Sequence, residues 1–202
     1  MPVLPDASRR RALRLGSVCA LACLGLGLVP GWLATAYAAH VLDAANLPAE
    51  LQSALPAARS LGAGRLRFLG MGIYDSRLWV PGGFNASAYA QYPFALELNY
   101  LRSLSGKLIA ERSLREMRRQ GNISAEREQA WLQAMLQAFP DVNAGDRITG
   151  LHTPGLGARF WFNGQPRPAI ADTEFSRVFF GIWLSEASSE PQLRSQLLGQ
   201  TP

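Results

Sequence analysis

The sequence predicts an α+β domain: a mainly antiparallel, open-faced β-sheet with helices packed on one face. Three observations carry this. Apolar residues alternate along 94–102, two helical repeats follow each other directly over 105–140, and alternation returns after Asp141 and runs into Asn163-Gly164. That dipeptide signals a hairpin because both residues tolerate positive φ. Strands, two helices, strands, two helices is not the βαβ alternation of a parallel sheet.

Residues 65–80 mix β-formers with Gly70 and Gly72 and read as one long bent strand or a pair of strands. The preceding Gly62-Ala63-Gly64 reads as a turn, because a phosphate loop would follow a strand and open a helix. Along 94–102, Phe94, Leu96, Leu98 and Tyr100 form a buried face and Ala95, Glu97 and Asn99 a wetter one. After Ser105-Gly106, Ala110, Leu114 and Met117 recur at helical spacing until Gly121, with Arg112, Arg115, Arg118 and Arg119 on other faces. A second helix starts from Ser124 as N-cap and carries Trp131, Leu132, Met135, Leu136 and Phe139 up to Pro140. Strands are expected over 146–152 and 158–162, with a short strand around Ala169-Ile170 completing the Asn163-Gly164 hairpin. Asp172 or Thr173 caps a helix with Phe175, Val178, Phe179, Ile182 and Trp183 on one apolar face; a last short helix, with Leu193, Leu197 and Leu198, stops at Gly199.

The N-terminus reads differently. Arg9, Arg10, Arg11 and Arg14 precede an apolar run from Leu15 to Leu33, and Ala36-Tyr37-Ala38 follows. This is the order of a cleavable export signal, with a mature start at Ala39. Gly16, Gly25, Gly27 and Pro30 dilute the run below what a membrane span needs. Either the general secretory or the twin-arginine route fits the arginine run. Residues 39–61 read as a lead-in and 62–199 as the domain. Removing 1–38 leaves sixteen basic and fourteen acidic residues, a formal +2 in place of +5. The basic excess that a nucleic-acid-binding face needs is thereby mostly lost. Cys19 and Cys23 leave too, so the mature chain has no thiol or disulfide and is expected to hold together by its core.

The order of elements, with Gly-Ile-Tyr-Asp-Ser-Arg-Leu-Trp at 72–79, Phe-Asn-Gly at 162–164 and Phe-Phe-Gly-Ile-Trp-Leu at 179–184, resembles the chalcone isomerase fold family, in particular its bacterial exported chalcone isomerase-like members. The resemblance spans about 62–199 and implies an open-faced sheet with a cleft between it and the helices. Its motifs concern packing and turns, so they speak to fold more than activity. The plant isomerases close a chalcone to a flavanone with an arginine at the developing oxyanion and hydroxyls and amines around it. Ungapped placement puts that arginine position on Leu66, the first-strand threonine on Leu69, the lysine on Tyr100 or Leu101, the tyrosine on Ile109 and the helix hydroxyl on Gly181. Only Tyr100 is polar among them. Arg65 and Arg67 flank Leu66, but a one-residue step in a strand points a side chain to the opposite face unless a bulge intervenes.

The resemblance and the missing polar cleft together imply an exported periplasmic or envelope protein, leaning away from catalysis, that binds an apolar small molecule, a fatty acid as in some relatives of this fold, or a partner protein. Two alternatives stand beside this. One is an isomerase or lyase acting on an unsaturated carbonyl compound; the other is a structural envelope-interaction protein. The candidate ligand-binding residues are Arg65, Arg67, Tyr74, Tyr100, Arg102 and Lys107, with no catalytic residue assigned. No cofactor or metal is expected, since His40 and His152 are the only histidines and a metal site needs three or four converging ligands. His152 reads as a surface or hydrogen-bonded residue at a strand end. The arginines at 112, 115, 118 and 119 read as a solvated helix face paired with Glu111 and Glu116, with contact to acidic lipid headgroups as the alternative.

Overall fold

The computed structural model describes residues 47–200; the predicted export signal and the start of the lead-in, residues 39–46, lie outside the described residues. The chain forms α1 (Ala49–Gln52), β1 (Arg59–Phe68), β2 (Met71–Val80), a 3-10 segment (Ala86–Gln91), β3 (Phe94–Tyr100), α2 (Gly106–Met117), α3 (Ala125–Ala138), β4 (Arg147–Thr153), β5 (Gly157–Phe162), β6 (Gln165–Pro166), α4 (Thr173–Leu184) and α5 (Pro191–Leu197). All six strands join one antiparallel sheet in sequence order, β1-β2-β3-β4-β5-β6. The predicted α+β class, antiparallel sheet and helical layer are all present.

The helix starts follow local chemistry. Ser105 Oγ accepts the Leu108 N–H of α2 at 3.2 Å, Ser124 Oγ that of Arg127 in α3 at 3.4 Å, and Asp172 Oδ1 that of Phe175 in α4 at 2.9 Å. Each satisfies an amide that has no partner inside its own helix. Ala110, Leu114 and Met117 of α2 are buried as their spacing demands. On α4 burial extends beyond the predicted stripe to Phe180, which is fully enclosed because α4 packs against both the sheet and α2.

Three expectations are corrected. Gly62-Ala63-Gly64 lies inside β1, not in a turn, and the strand begins at Arg59. Its glycines are there for proximity: a Cβ on Gly62 would fall 2.6 Å from the Leu197 carbonyl oxygen, and one on Gly64 would fall 2.7 Å from Leu193 Cδ1. Glycine thus lets α5 lie against β1. Of the two readings of 65–80 the pair of strands holds: the segment is the end of β1 and all of β2, joined by Leu69-Gly70. The expected strand at 169–170 is reduced to a single bridge from Ile170 to Ala158, and the Asn163-Gly164 turn instead returns directly into β6.

The third correction concerns the second face of β3, which is not wet. Ala95 and Glu97 are buried beneath residues 47–58, where Leu51, Leu55 and Ala58 pack on Trp79, Ala95 and Leu151. Polar groups on this face are matched. Glu97 accepts the Trp79 indole N–H at 2.9 Å and the Asn99 amide at 3.0 Å, while Glu50 of α1 accepts Arg147 Nη2 at 2.9 Å and the Thr149 hydroxyl at 2.8 Å.

On the helical face, His152 is a buried residue at the end of β4. Its Nε2 lies 3.0 Å from the Ala90 carbonyl and its Nδ1 2.6 Å from Ser176 Oγ. The carbonyl can only accept, so Nε2 carries the proton and Nδ1 accepts from the serine. The ring stacks on Phe94. With both nitrogens occupied inside the core, its role is structural.

Candidate ligand cavity

Sheet and helices do not close completely. Between β1–β4 on one side and α2, α4 and α5 on the other lies a cavity of about 430 Å³, a size suited to a small organic ligand. The floor is apolar: Leu66, Leu98 and Ile148 from the sheet face Ile109 of α2 and Phe179 and Ile182 of α4. Two phenols, Tyr74 and Tyr100, stand in this floor with their rings edge-to-face, centroids 5.8 Å apart. They are cross-strand partners, so the antiparallel register of β2 and β3 holds them together.

The hydroxyls differ in their bonding. Tyr74 accepts the Trp183 indole N–H at 3.0 Å, which leaves its own O–H to donate; no partner among the described residues bonds the Tyr100 hydroxyl. Burial pushes both phenols well above their ordinary range. Neither can serve as a base near neutral pH, and both are fixed hydrogen-bond donors. A carbonyl or carboxyl oxygen is the complementary partner.

The cavity opens between the end of the β1–β2 hairpin and α2, where the exposed lining residues Arg67, Phe68, Leu108, Arg112 and Arg115 gather. Of the six residues singled out from sequence, the cavity unites Tyr74, Tyr100 and Arg67. Arg67 arrives because β1 shifts register between Leu66 and Arg67, so that consecutive residues both line the space. This is the bulge on which its reach depended. Arg65 instead makes a two-pronged ion pair with Asp75 on the exposed edge, at 2.6 and 2.8 Å. Arg102, in the loop after β3, and Lys107, which lies 3.6 Å from Glu111, are outside the lining.

Sequence reasoning missed Arg112 and Arg115 as cavity residues. Both lie on the α2 face that also carries Leu108, Ile109 and Glu116, one turn around from the buried stripe. The expected pairing within the cluster holds for Arg112, 2.7 Å from Glu116, and for Arg119, 3.8 Å from the same carboxylate; Arg118 turns instead to Glu128. Among the described residues no cluster of three or more potential metal ligands occurs, and no helix is long and apolar enough to cross a membrane.

An open antiparallel sheet with helices on one face and an apolar cavity between the layers defines a class of α+β folds. Within that class, the family model described as chalcone isomerase-like matches residues 60–199, and the chain belongs to this family. Among solved structures, the fold is similar to that of an Arabidopsis thaliana fatty-acid binding protein, with a TM-score of 0.54, 14% identity, and coverage of 70% of this chain and 87% of the other. No curated protein sequence matches the chain.

Proposed function

We propose that this protein is a non-catalytic binder of an elongated apolar ligand with a single oxygen-bearing head, a fatty acid being the simplest example, and that it acts in the periplasm or envelope after loss of residues 1–38. The observation that carries the reading is the apolar cavity with Tyr74 and Tyr100 as its only buried hydroxyl donors from aromatic residues. Leu66 occupies the position where the resemblance places the catalytic arginine, and the arginines that line the cavity, Arg67, Arg112 and Arg115, are the exposed ones at its mouth. The similar fold of a plant fatty-acid binding protein supports the same reading.

Titration with cis-parinaric acid, followed by its fluorescence, tests the binding. We expect saturable uptake that long-chain fatty acids displace, lost in Ile109→Trp, which fills the cavity, and weakened several-fold in Tyr100→Phe, which removes one hydrogen bond. Uptake unchanged in Ile109→Trp places the ligand elsewhere and ends the proposal. Export is checked by sequencing the N-terminus of protein recovered from the periplasm of a Gram-negative host, with Ala39 as the expected first residue.

A further inference from the structure

The tip of the β1–β2 hairpin is built against the usual rules. Leu69 and Gly70 form a two-residue turn with φ of 50° and 78°, a conformation that suits Asn-Gly and penalises leucine. The residue so strained is also 82% exposed, flanked by Phe68 at 57% and Met71 at 45%. Leu101, packed where a Gly72 side chain would stand, and Leu108 at the cavity mouth extend the patch. A strained, exposed, apolar tip does nothing for folding, so its use is sought outside the chain.

Charge says what kind of surface it meets. Arg67 and Arg115 line the cavity mouth beside the patch and Arg102 follows Leu101 in the chain, and none of the three has a carboxylate within ion-pairing distance among the described residues. We propose that the hairpin tip and these arginines dock the protein on an anionic lipid bilayer, with Phe68, Leu69 and Met71 entering the interface and the cavity mouth turned towards the membrane. Apolar side chains that project beyond a ring of unpaired cations complement acidic headgroups overlying hydrocarbon. A second copy meeting this patch about a twofold axis would bring the same arginines face to face, which opposes self-association. The inference holds whether or not the cavity takes a fatty acid.

A local reporter in the full chain tests it, because the apolar run at 15–33 could tether the protein to any vesicle. With Cys19→Ser and Cys23→Ser, an environment-sensitive nitrobenzoxadiazole dye is attached at Leu69→Cys, with Met71→Cys as a second reporter. Leu156→Cys, on an exposed turn at the opposite end of the strands, is the control. Vesicles of phosphatidylcholine doped with phosphatidylglycerol should blue-shift the dye at 69 and 71 but not at 156, and about 0.5 M salt should reverse the shift. Arg67→Glu/Arg115→Glu should raise the lipid needed for half the shift by about tenfold or more. The proposal is overturned by no shift at 69 and 71, an equal shift at 156, an equal shift on pure phosphatidylcholine, or a shift without lipid that grows with protein concentration.

Discussion

The helical face of the sheet is held by rings: Phe94, Phe160, Phe179 and Phe180 meet at centroid distances of 5.1–6.5 Å. Among the described residues the opposite face is covered by residues 47–58, where a smaller apolar cluster around Leu51, Trp79 and Leu151 is pinned by the hydrogen bonds of Glu50 to Arg147 and Thr149. Packing without direction tolerates an unfilled space, and the cavity lies on that side. Bonds with direction fix a short segment in one place, and that side is closed. One sheet therefore combines a permissive surface for a ligand with a rigid backing that keeps its strands in register.

The two faces should differ most at Phe180. Phe180→Ala removes a fully buried ring shared by the sheet and α4, and should cost about 3–5 kcal/mol in denaturant unfolding. On the backing face, Glu50→Ala leaves the part-buried Arg147 guanidinium and the Thr149 hydroxyl without their acceptor, at a cost of about 1–3 kcal/mol. Its second sign should be local: limited proteolysis cutting within 47–58 before the sheet unfolds. A loss as large as that for Phe180→Ala would show that the two faces are not built differently.

His152 makes the helical face sensitive to pH. Burial lowers its pKa below the ordinary 6.5, so the native state resists a proton that the unfolded chain accepts. Its contribution is complete above about pH 6.5 and is lost as pH falls through that value towards the lower native one. The melting temperature should therefore drop between about pH 7 and 5.5, and His152→Gln should flatten that slope; an unchanged slope would assign it to other groups.

The smallest effect separates the two hairpins. Leu69→Asn places at the β1–β2 tip the type of residue that Asn163 supplies, at φ 48°, between β5 and β6. It should stabilise the fold by about 0.5–1 kcal/mol, a rise of a few degrees in melting temperature, while weakening docking on anionic vesicles. Stability and docking falling together would show that Leu69 serves the fold.

This pair of turns also shows what the sequence made legible. Asn163-Gly164 was readable because its chemistry and its geometry agree; Leu69-Gly70 was not, because leucine occupies a conformation it disfavours. Ser105, Ser124 and Asp172 marked their helices because capping is local. Gly62 and Gly64 misled because their neighbour, α5, arrives more than 120 residues later in the chain. At the site, Tyr100 was recoverable from the alternation along 94–102, whereas 65–80 showed no alternation that would place Tyr74. Arg67 depended on a bulge that alternation cannot show, and Arg112 and Arg115 on which side of α2 the sheet leaves open. Arg65, Arg102 and Lys107 were chosen for charge and proximity in sequence, and neither property sets the direction of a side chain.

The strand order has a consequence for how the molecule assembles. Every strand pairs with its neighbour in sequence, so most of the sheet grows by short hairpins, and contacts that close short loops form fast. One pairing is different: β3 and β4 are separated by residues 101–146, the segment that contains α2 and α3. That closure carries the largest entropic cost in the sheet. Because α2 and α3 pack on each other within it, the span that β3–β4 pairing must close is effectively shorter than its number of residues. α2, one of the helices that roof the cavity, thus also bears, with α3, on how the two halves of the sheet meet.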